Sequence, residues 1–294
     1  MTPSGMPEII QISDADLIAC TSPSDLSHHL FDIYRGIGLE ANLLSSISRT
    51  SPALDTSNHR NLTIFIGLLN RCSKLMLSNI KLSHERRSGE TAAILDRCIF
   101  ESALTISWLC GSGKPDSFER YVANGLKSDL ELEKSIQSKI QERGSSLPIE
   151  DRMLASIEHH VVESGMTRTE IESTKKLPDI ASMLDALKYD RLVYVVAQRI
   201  GSHHTHGTWS SLLYGYLRKE NSTYVPRDND VEMHPNQFLA TSIFMLKAIT
   251  TFIETMIKEE DSRNHLLERI EAHETSLQKV QARLADLSGW NEKS

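Results

Sequence analysis

The sequence lacks the short motifs that identify most nucleotide-binding and hydrolytic enzymes. It contains no phosphate-cradling glycine-rich loop, no Gly-x-Ser-x-Gly elbow, no His-Glu-x-x-His pair and no dinucleotide-binding fingerprint. These absences argue against the common classes of nucleotide-binding protein and hydrolase. What remains informative is the helical periodicity and the spacing of a few charged residues and histidines.

Cysteine is scarce, and long apolar runs are absent. Cys20, Cys72, Cys98 and Cys110 have no Cys-x-x-Cys spacing and stand in apolar helical sequence, which predicts buried reduced thiols rather than a disulfide or a zinc site. The N-terminus lacks the basic stretch and apolar run of a signal peptide, and no segment approaches the roughly 20 apolar residues of a membrane span. We therefore expect a cytoplasmic protein that does not enter the membrane.

Basic residues are outnumbered, with 32 Lys and Arg against 39 Asp and Glu and a formal net charge of −7. This balance argues against a whole-molecule electrostatic footprint for nucleic acid, so any contact with RNA must be local. The apolar fraction of 39% and the charged fraction of 24% are near the usual globular values and predict a folded chain.

Helical periodicity dominates the chain, whereas clean two-residue alternation bounded by Gly or Pro turns is hard to find. We therefore predict an all-α fold, a multi-helix bundle. The segment from Tyr224 to Pro235 is predicted to be a polar loop. The predicted helices before the C-terminal one span residues 24–48, 58–82, 88–111, 115–144, 148–164, 178–187 and 235–256.

The last predicted helix carries an uninterrupted heptad pattern in which only His273 is polar. Three heptads suffice for a coiled coil, but the partner can be a second chain or an earlier helix such as the charged arm at 128–143. We divide the chain into an N-terminal helical extension (1–55), a helical core domain (56–260) and this C-terminal heptad helix (261–294). The heptad positions are Leu266, Ile270, His273, Leu277, Val280, Leu284 and Leu287.

Two opposite charges interrupt one apolar helix. Arg97 and Glu101 are four residues apart and project from the same helical face among apolar neighbours. Because an uncompensated charge in the interior costs several kcal/mol, we expect these two side chains to form a buried ion pair that fixes the register of the helix.

The segment RIGSHHTH, from Arg199 to His206, carries the strongest chemical signal. On a continuous helix Arg199, His203 and His206 share a face, whereas His204 points elsewhere unless a bend at Gly201 turns it inward. An Arg beside a His suits phosphodiester cleavage, because imidazole can take a proton from a ribose 2′-hydroxyl while guanidinium holds the phosphate.

Two other interpretations of these histidines remain open. They can cap a helix and bond nearby backbone, with His206, Gly207 and Thr208 opening the next helix. They can also supply imidazoles to a metal site completed by a distant carboxylate such as Glu101, although their spacing is not a specific metal signature.

Several of these residues together resemble a bacterial family of uncharacterised helical proteins. The resemblance rests on RCIFES with Arg97 and Glu101, on ERYVANG at 119–125, and on the spacing of Tyr194, Ser202 and His206-Gly207. It spans roughly residues 60–220. The resemblance implies a helical fold, and it implies no activity because the function of that family is unassigned.

Separately, Arg199 followed by His204 or His206 is similar to the Arg-x(4–6)-His motif of HEPN ribonucleases, small helical proteins of toxin–antitoxin and phage-defence systems. The resemblance implies a homodimer in which Arg199 and one of these histidines act from both protomers and cut RNA without a metal or cofactor. In such a dimer, a groove lined by Arg191, Arg199 and Arg218 would be locally positive, and the heptad helix would help to hold the dimer.

The leading prediction is therefore a metal-independent endoribonuclease with Arg199 as phosphate clamp and His204 or His206 as general acid/base, supported by Ser202 and His203. The competing prediction is a non-catalytic interaction module. In that alternative Arg97, Glu101, Tyr194 and His206 form a buried polar network, and the C-terminal helix recruits a protein partner.

Overall fold

Helices dominate the structure, which confirms the all-α prediction. The computed structural model describes residues 6–47, 51–55, 57–83, 88–227 and 234–288, and the side chains of residues 198–200 lie outside this description. By contacts between residues, the chain forms two compact units. The larger comprises Met1–Gly111 with Ile180–Ser294, and the smaller comprises Ser112–Asp179. These boundaries differ from those of the three segments predicted from the sequence.

The elements of the larger unit come from both ends of the chain. Its first part holds α1 (Asp14–Ala19), a 3-10 helix (Pro23–Leu26), α2 (Ser27–Ser45), α3 (His59–Ser83) and α4 (Gly89–Gly111). The smaller unit, inserted next, holds α5 (Ser117–Arg143), α6 (Pro148–Ser164) and α7 (Arg168–Ser173). The larger unit then continues with α8 (Ile180–Ala186), α9 (Arg191–Val193), a π-helix (Tyr194–Ile200), α10 (Gly201–Thr205), α11 (Trp209–Gly215), β1 (Leu217–Glu220), β2 (Thr223–Pro226), α12 (Pro235–Met256) and α13 (Glu260–Leu287).

The core of the larger unit lies between α2, α3, α4 and α12. Leu62, Leu69 and Met76 of α3 are buried there, and Phe65 packs edge-on against Phe252 of α12 with ring centroids 5.9 Å apart. On α4, Phe100 meets Phe244 in the same way at 4.6 Å. Because each such burial stabilises the fold by roughly 1.5–3 kcal/mol, this four-helix core fixes the position of α4.

The smaller unit is a set of three helices around its own apolar cluster. Both predicted helix ends at glycine are confirmed, since Gly144 and Gly165 follow α5 and α6 in the left-handed conformation at φ 79° and 67°. The buried members of this cluster are Ala123, Leu126, Leu130, Val161 and Ile171.

A short antiparallel hairpin replaces the start of the predicted polar loop. β1 pairs with β2 so that Lys219 lies opposite Tyr224 and Arg218 lies opposite Val225. Asn221 makes the turn at φ 53°, a conformation that asparagine tolerates well. Four-residue strands are too short to show clear alternation, so the pattern of apolar residues does not indicate a strand here.

The heptad face of α13 is covered by its own chain. α13 packs against α2, α12 and the 3-10 helix, and Ile270, His273, Leu277 and Val280 are buried. The intramolecular partners of the heptad helix are thus mainly α12 and α2. A protein partner of α13 would have to use its other face.

The N-terminal segment lies along α13 and is held through its backbone. Arg269, Ser276 and Arg283, seven residues apart, donate hydrogen bonds to carbonyl oxygens of that segment. The accepting carbonyls belong to Pro7, Ile10, Leu17 and Cys20. Because these bonds involve the backbone of the segment, its sequence gave no hint of the contact.

α12 is an exception to the expectation that no segment is apolar enough to cross a membrane. By length and composition it could do so, but half of its most apolar window is buried inside the protein. Thr241 and Ser242 are among its buried residues, and the helix packs against α2 and α4. This packing is that of a core helix.

Candidate functional site

One face of α4 meets the histidine segment. Glu90, Ala93, Arg97 and Glu101 are three or four residues apart and therefore lie on the same side of the helix. α10 packs against α4 so closely that a Cβ placed on Gly201 would be 3.0 Å from the Cβ of Arg97. The glycine at this position lets the histidine segment approach the helix that carries Arg97.

The backbone before the histidines is a π-helix, from Tyr194 to Ile200. A π-turn holds more residues than an α-turn, so the directions expected for a continuous α-helix do not apply. The side chain of His204 is 11% exposed and turns toward Glu90, whereas His203 and His206 are exposed. The structure therefore follows the alternative in which a change of helix geometry brings His204 inward.

Glu90, at the start of α4, accepts hydrogen bonds from three side chains. His204 Nδ1 lies 3.1 Å from its Oε1, the Ser211 hydroxyl donates to the same oxygen, and Tyr216 also donates to the carboxylate. Burial raises the pKa of Glu90, but the bonds from Ser211, Tyr216 and His204 outweigh it and hold the pKa below its usual value. The carboxylate is thus ionised at neutral pH and can only accept.

This charge state assigns the protons of His204. Because Glu90 can only accept, Nδ1 of His204 carries a proton, and in the neutral ring Nε2 is then a free acceptor. A carboxylate that orients an imidazole in this way is a common arrangement for general base catalysis.

A cavity of about 430 Å³ opens beside the Glu90 cluster and is bordered by three imidazoles, those of His203, His204 and His234. Ser210, Tyr214 and Gln237 also line it. This volume is within the range of small-ligand sites. His206, by contrast, does not border the cavity.

The other two imidazoles differ from His204 in their hydrogen bonds. Nδ1 of His234 accepts from the backbone N–H of Asn236 at 3.1 Å, so its neutral ring carries the proton on Nε2 and donates. Nδ1 of His203 lies 2.9 Å from the Thr208 hydroxyl, which can donate or accept. The cavity is thus bordered by an acceptor, a donor and a ring that can be either.

A buried polar network lies behind the cavity. Asp96 accepts from Asn79 at 2.7 Å, from Thr241 at 3.0 Å and from Gln237 at 3.2 Å. Burial raises the pKa of Asp96 to about 7 in spite of these bonds. Because Gln237 also lines the cavity, it connects this network to the site.

The predicted pair of Arg97 and Glu101 forms, with Arg97 Nε 2.9 Å from Glu101 Oε1. It is less buried than expected, since the two side chains are 19% and 37% exposed. His206 lies in solvent, so the structure does not place it in a buried network with this pair. The buried network is the one around Asp96.

The remaining predicted residues, Tyr194, Arg199 and Ser202, are close together in the chain, but only Tyr194 and Ser202 have described side chains. Ser202 and Tyr194 are half-buried, on α10 and in the π-helix. Arg199 belongs to the π-helix, and its side chain lies outside the described residues, so its role as phosphate clamp stays a prediction.

Sequence reasoning missed most partners of His204. The sequence motifs of the predicted site include neither Glu90 nor Ser211, Tyr216 and His234. Asp96 could have been found, because it stands one residue before Arg97 in an otherwise apolar helix. The contacts of Glu90 join residues more than 100 positions apart, and no local pattern records them.

Within the described parts of the chain, no group of three or more His, Cys, Asp or Glu side chains is arranged to hold a metal ion. The four cysteines are free; Cys20 and Cys72 are buried as predicted, whereas Cys98 and Cys110 are only half-buried. Burial raises the pKa of Cys72 and Cys110 to about 12.

Residues 62–224 match a family of unknown function, DUF5677. The match covers more than half of the chain. The chain belongs to this family. The DUF5677 region nearly coincides with residues 60–220, for which the sequence motifs indicated a family of uncharacterised helical proteins. It contains Glu90, Arg97 and all the histidines from His203 to His206, whereas His234 and Gln237 lie beyond it. No curated protein and no solved structure matches the chain.

Proposed function

We propose that this DUF5677 protein is a metal-independent endoribonuclease whose general base is His204. The observation that carries the proposal is the His204–Glu90 contact of 3.1 Å at the edge of an open cavity. The similarity of Arg199 and His204 to the HEPN motif supports the same chemistry and suggests a toxin or phage-defence system in the cytoplasm.

The hydrogen bonds of the three imidazoles suggest a role for each. Nε2 of His204 takes the proton of a ribose 2′-hydroxyl, whose oxygen then attacks the adjacent phosphorus. The bond from phosphorus to the 5′-oxygen breaks, and protonated His203 gives its proton to that leaving oxygen. The products are a 2′,3′-cyclic phosphate and a 5′-hydroxyl. His234 donates from Nε2 to a phosphate oxygen, and Arg199 holds the phosphate charge.

This proposal chooses His204 over His206. Both fit the Arg-x(4–6)-His spacing, but His204 borders the cavity and is oriented by a carboxylate, whereas His206 is exposed. A homodimer, in which two copies of the site face each other, remains part of the proposal on the strength of the HEPN similarity.

The test is cleavage of a mixed RNA pool in EDTA. We expect His204→Ala to lower the cleavage rate by about a hundredfold or more, the usual effect of losing a general acid/base, and Arg199→Ala to lower it as well. The products should carry 2′,3′-cyclic phosphate ends. His160→Ala is the matched control, because His160 also pairs with a carboxylate, Asp129 at 2.9 Å, but on the exposed surface of α6.

Two results would overturn this assignment. Equal cleavage by the wild type and by folded His204→Ala would remove His204 from the mechanism, and a loss confined to His206→Ala would move the role there. Absence of cleavage by the folded wild type would favour the second candidate.

The second candidate function is a non-catalytic helical interaction or scaffold protein. It is supported by the apolar side chains that remain exposed around the π-helix, such as Leu192 and Val196 at 64% and 49%. Sedimentation of the wild type beside a Leu192→Ser/Val196→Ser variant tests it, because loss of self-association in the variant is the expected result.

A further inference from the structure

The exposed aromatic side chains of the chain are concentrated beside the cavity. Trp209, Tyr214, Tyr216 and Tyr224 are 57%, 53%, 56% and 47% exposed. In the parts of the chain that the structure describes, no other Trp, Tyr or Phe is exposed. Leaving several aromatic rings in water at one place is unfavourable and is typical of a surface that binds another molecule.

Two of these rings and a cation share one side of the β-hairpin. The ring centroids of Trp209 and Tyr224 are 5.4 Å apart, with the rings nearly perpendicular. Lys219 lies directly opposite Tyr224 in the strand pairing, so both side chains project from the same face of the hairpin. Its neighbours Arg218 and Glu220 pair with each other, and among the described residues Lys219 forms no ion pair.

This surface is continuous with the cavity. Trp209 is the first residue of α11, and the same helix supplies Ser210, Ser211 and Tyr214 to the cavity. Tyr214 also contacts His204, with ring centroids 6.0 Å apart. A chain molecule whose scissile phosphate lies at His204 could therefore place a neighbouring unit on Trp209.

The segment that carries these residues is richer in cations than the chain as a whole. Between residues 188 and 227 there are six Lys and Arg and two Asp and Glu, although acidic residues exceed basic ones in the whole chain. The carboxylates that follow at 228, 230 and 232 lie outside the described residues. Aromatic faces beside cations are the usual means of holding single-stranded nucleic acid, because an unpaired base exposes its flat face and a paired base does not.

We propose that Trp209, Tyr224 and Lys219 form a stacking site for an unpaired base of the RNA strand. This inference rests on the proposed ribonuclease function and adds its substrate class: single-stranded RNA, held next to the phosphate that is cut. The two rings contact the base, and Lys219 contacts a flanking phosphate. The preference is for unpaired structure rather than for one base.

The experiment measures binding separately from cleavage. A fluorescent single-stranded RNA of about 12 nucleotides, 2′-O-methylated so that it cannot be cut, is titrated with each protein beside a duplex of the same sequence. We expect Trp209→Ala to weaken single-strand binding about tenfold and Trp209→Ala/Tyr224→Ala to weaken it further, with little change for the duplex. Trp209→Phe should restore most of the affinity, because phenylalanine also stacks.

The controls separate the two proposals. Ile18→Ala removes an exposed apolar side chain elsewhere, 74% exposed, and should bind like the wild type. His204→Ala should bind the uncut RNA normally while failing to cleave the unmodified RNA. If His204→Ala cleaves but the Trp209 variants lose binding, only the catalytic assignment fails.

If the wild type cleaves and Trp209→Ala/Tyr224→Ala binds as tightly as the wild type, the stacking site alone is wrong. A wild type that binds no single-stranded RNA also overturns the site. If, in addition, sedimentation shows that Trp209→Ala dissociates a dimer, the aromatic surface is an interface between protein chains.

Discussion

Two glutamate–histidine pairs in the larger unit differ in their access to solvent. His273 Nε2 lies 3.7 Å from Glu40 Oε1, and the two side chains are 0% and 1% exposed. His204 Nδ1 lies 3.1 Å from Glu90 Oε1, with 11% and 10% exposed and with a cavity beside them. The same chemical groups thus form a sealed structural cluster in one place and a site open to a ligand in the other.

The sealed pair is completed by an arginine. Arg269 donates to Glu40 and also to the carbonyl oxygen of Pro7. Burial raises the pKa of Glu40, but His273 and Arg269 outweigh it and hold the pKa below its usual value. Around Glu90, hydroxyl groups take the place of the arginine, so less charge is buried there.

The largest expected effect comes from breaking the sealed cluster with Arg269→Ala. Removing one partner of a buried ion pair leaves the other charge uncompensated, which lowers the free energy of unfolding by about 3–5 kcal/mol. Urea unfolding at pH 7, followed by circular dichroism, measures it. Arg168→Ala is the control, because Arg168 pairs with Glu133 and Glu158 on the surface and should contribute under about 1 kcal/mol. Equal losses in the two variants would contradict the distinction.

Intermediate effects on stability are expected at two glycines, each of which packs against one of the two glutamate–histidine pairs. A Cβ on Gly36 would be 2.7 Å from Cε1 of His273, and one on Gly215 would be 2.7 Å from Oε2 of Glu90. The His273 ring is enclosed and cannot move, so Gly36→Ala should lower the free energy of unfolding by about 1–3 kcal/mol. The Glu90 side chain is 10% exposed and its partners His204 and Ser211 line the cavity, so it has room to shift and Gly215→Ala should lower the free energy of unfolding less.

Gly67→Ala provides the control for this comparison. Gly67 is also helical, but a Cβ there meets no atom within 4 Å, so the substitution should stabilise the protein by roughly 0.5–1 kcal/mol through helix propensity. Thermal and urea unfolding of the three variants measure the differences. A larger loss for Gly215→Ala than for Gly36→Ala would show that the Glu90 cluster is the more rigid of the two.

The sequence predicted the positions of the helices better than it predicted which helices pack together. Apolar periodicity identified α3, α12 and α13, because it records which face of a helix is buried. It could not show that α13 packs on α2, since that pairing depends on Gly36 making room for His273 far along the chain. The same limit applies to the carbonyl contacts of the N-terminal segment, which do not depend on its side chains.

The candidate site was predicted only in part. The cluster of histidines was visible, and His204 was among the candidates, but its direction depends on a π-helix that the sequence did not indicate. Glu90 becomes a partner of His204 only because Gly201 lets α10 approach α4. The hairpin was missed because its strands have four residues each.

The smallest expected effect is that of Glu90→Gln. The folded-state pKa of Glu90 is lowered, so the charge stabilises the protein above the unfolded pKa of about 4.3, and this contribution is lost as the pH falls through the folded-state pKa. Glutamine keeps the size of the side chain without the charge. At pH 7 the free energy of unfolding of the variant should therefore be about 1 kcal/mol lower than that of the wild type. The reason is that the hydrogen bonds from the three donors no longer go to a charged acceptor.

Urea unfolding at pH 7 and at pH 3 tests this prediction, since the difference between variant and wild type should shrink at the lower pH. Glu172→Gln is the matched control, because Glu172 pairs with Lys134 on the surface of the smaller unit and should change stability little at pH 7. If the free energies of unfolding of variant and wild type differed equally at both pH values, the charge of Glu90 would not be the cause. The size and shape of the side chain would then determine its contacts with Ser211, Tyr216 and His204. The ionised Glu90 would then no longer explain why His204 keeps its Nε2 free for a ligand.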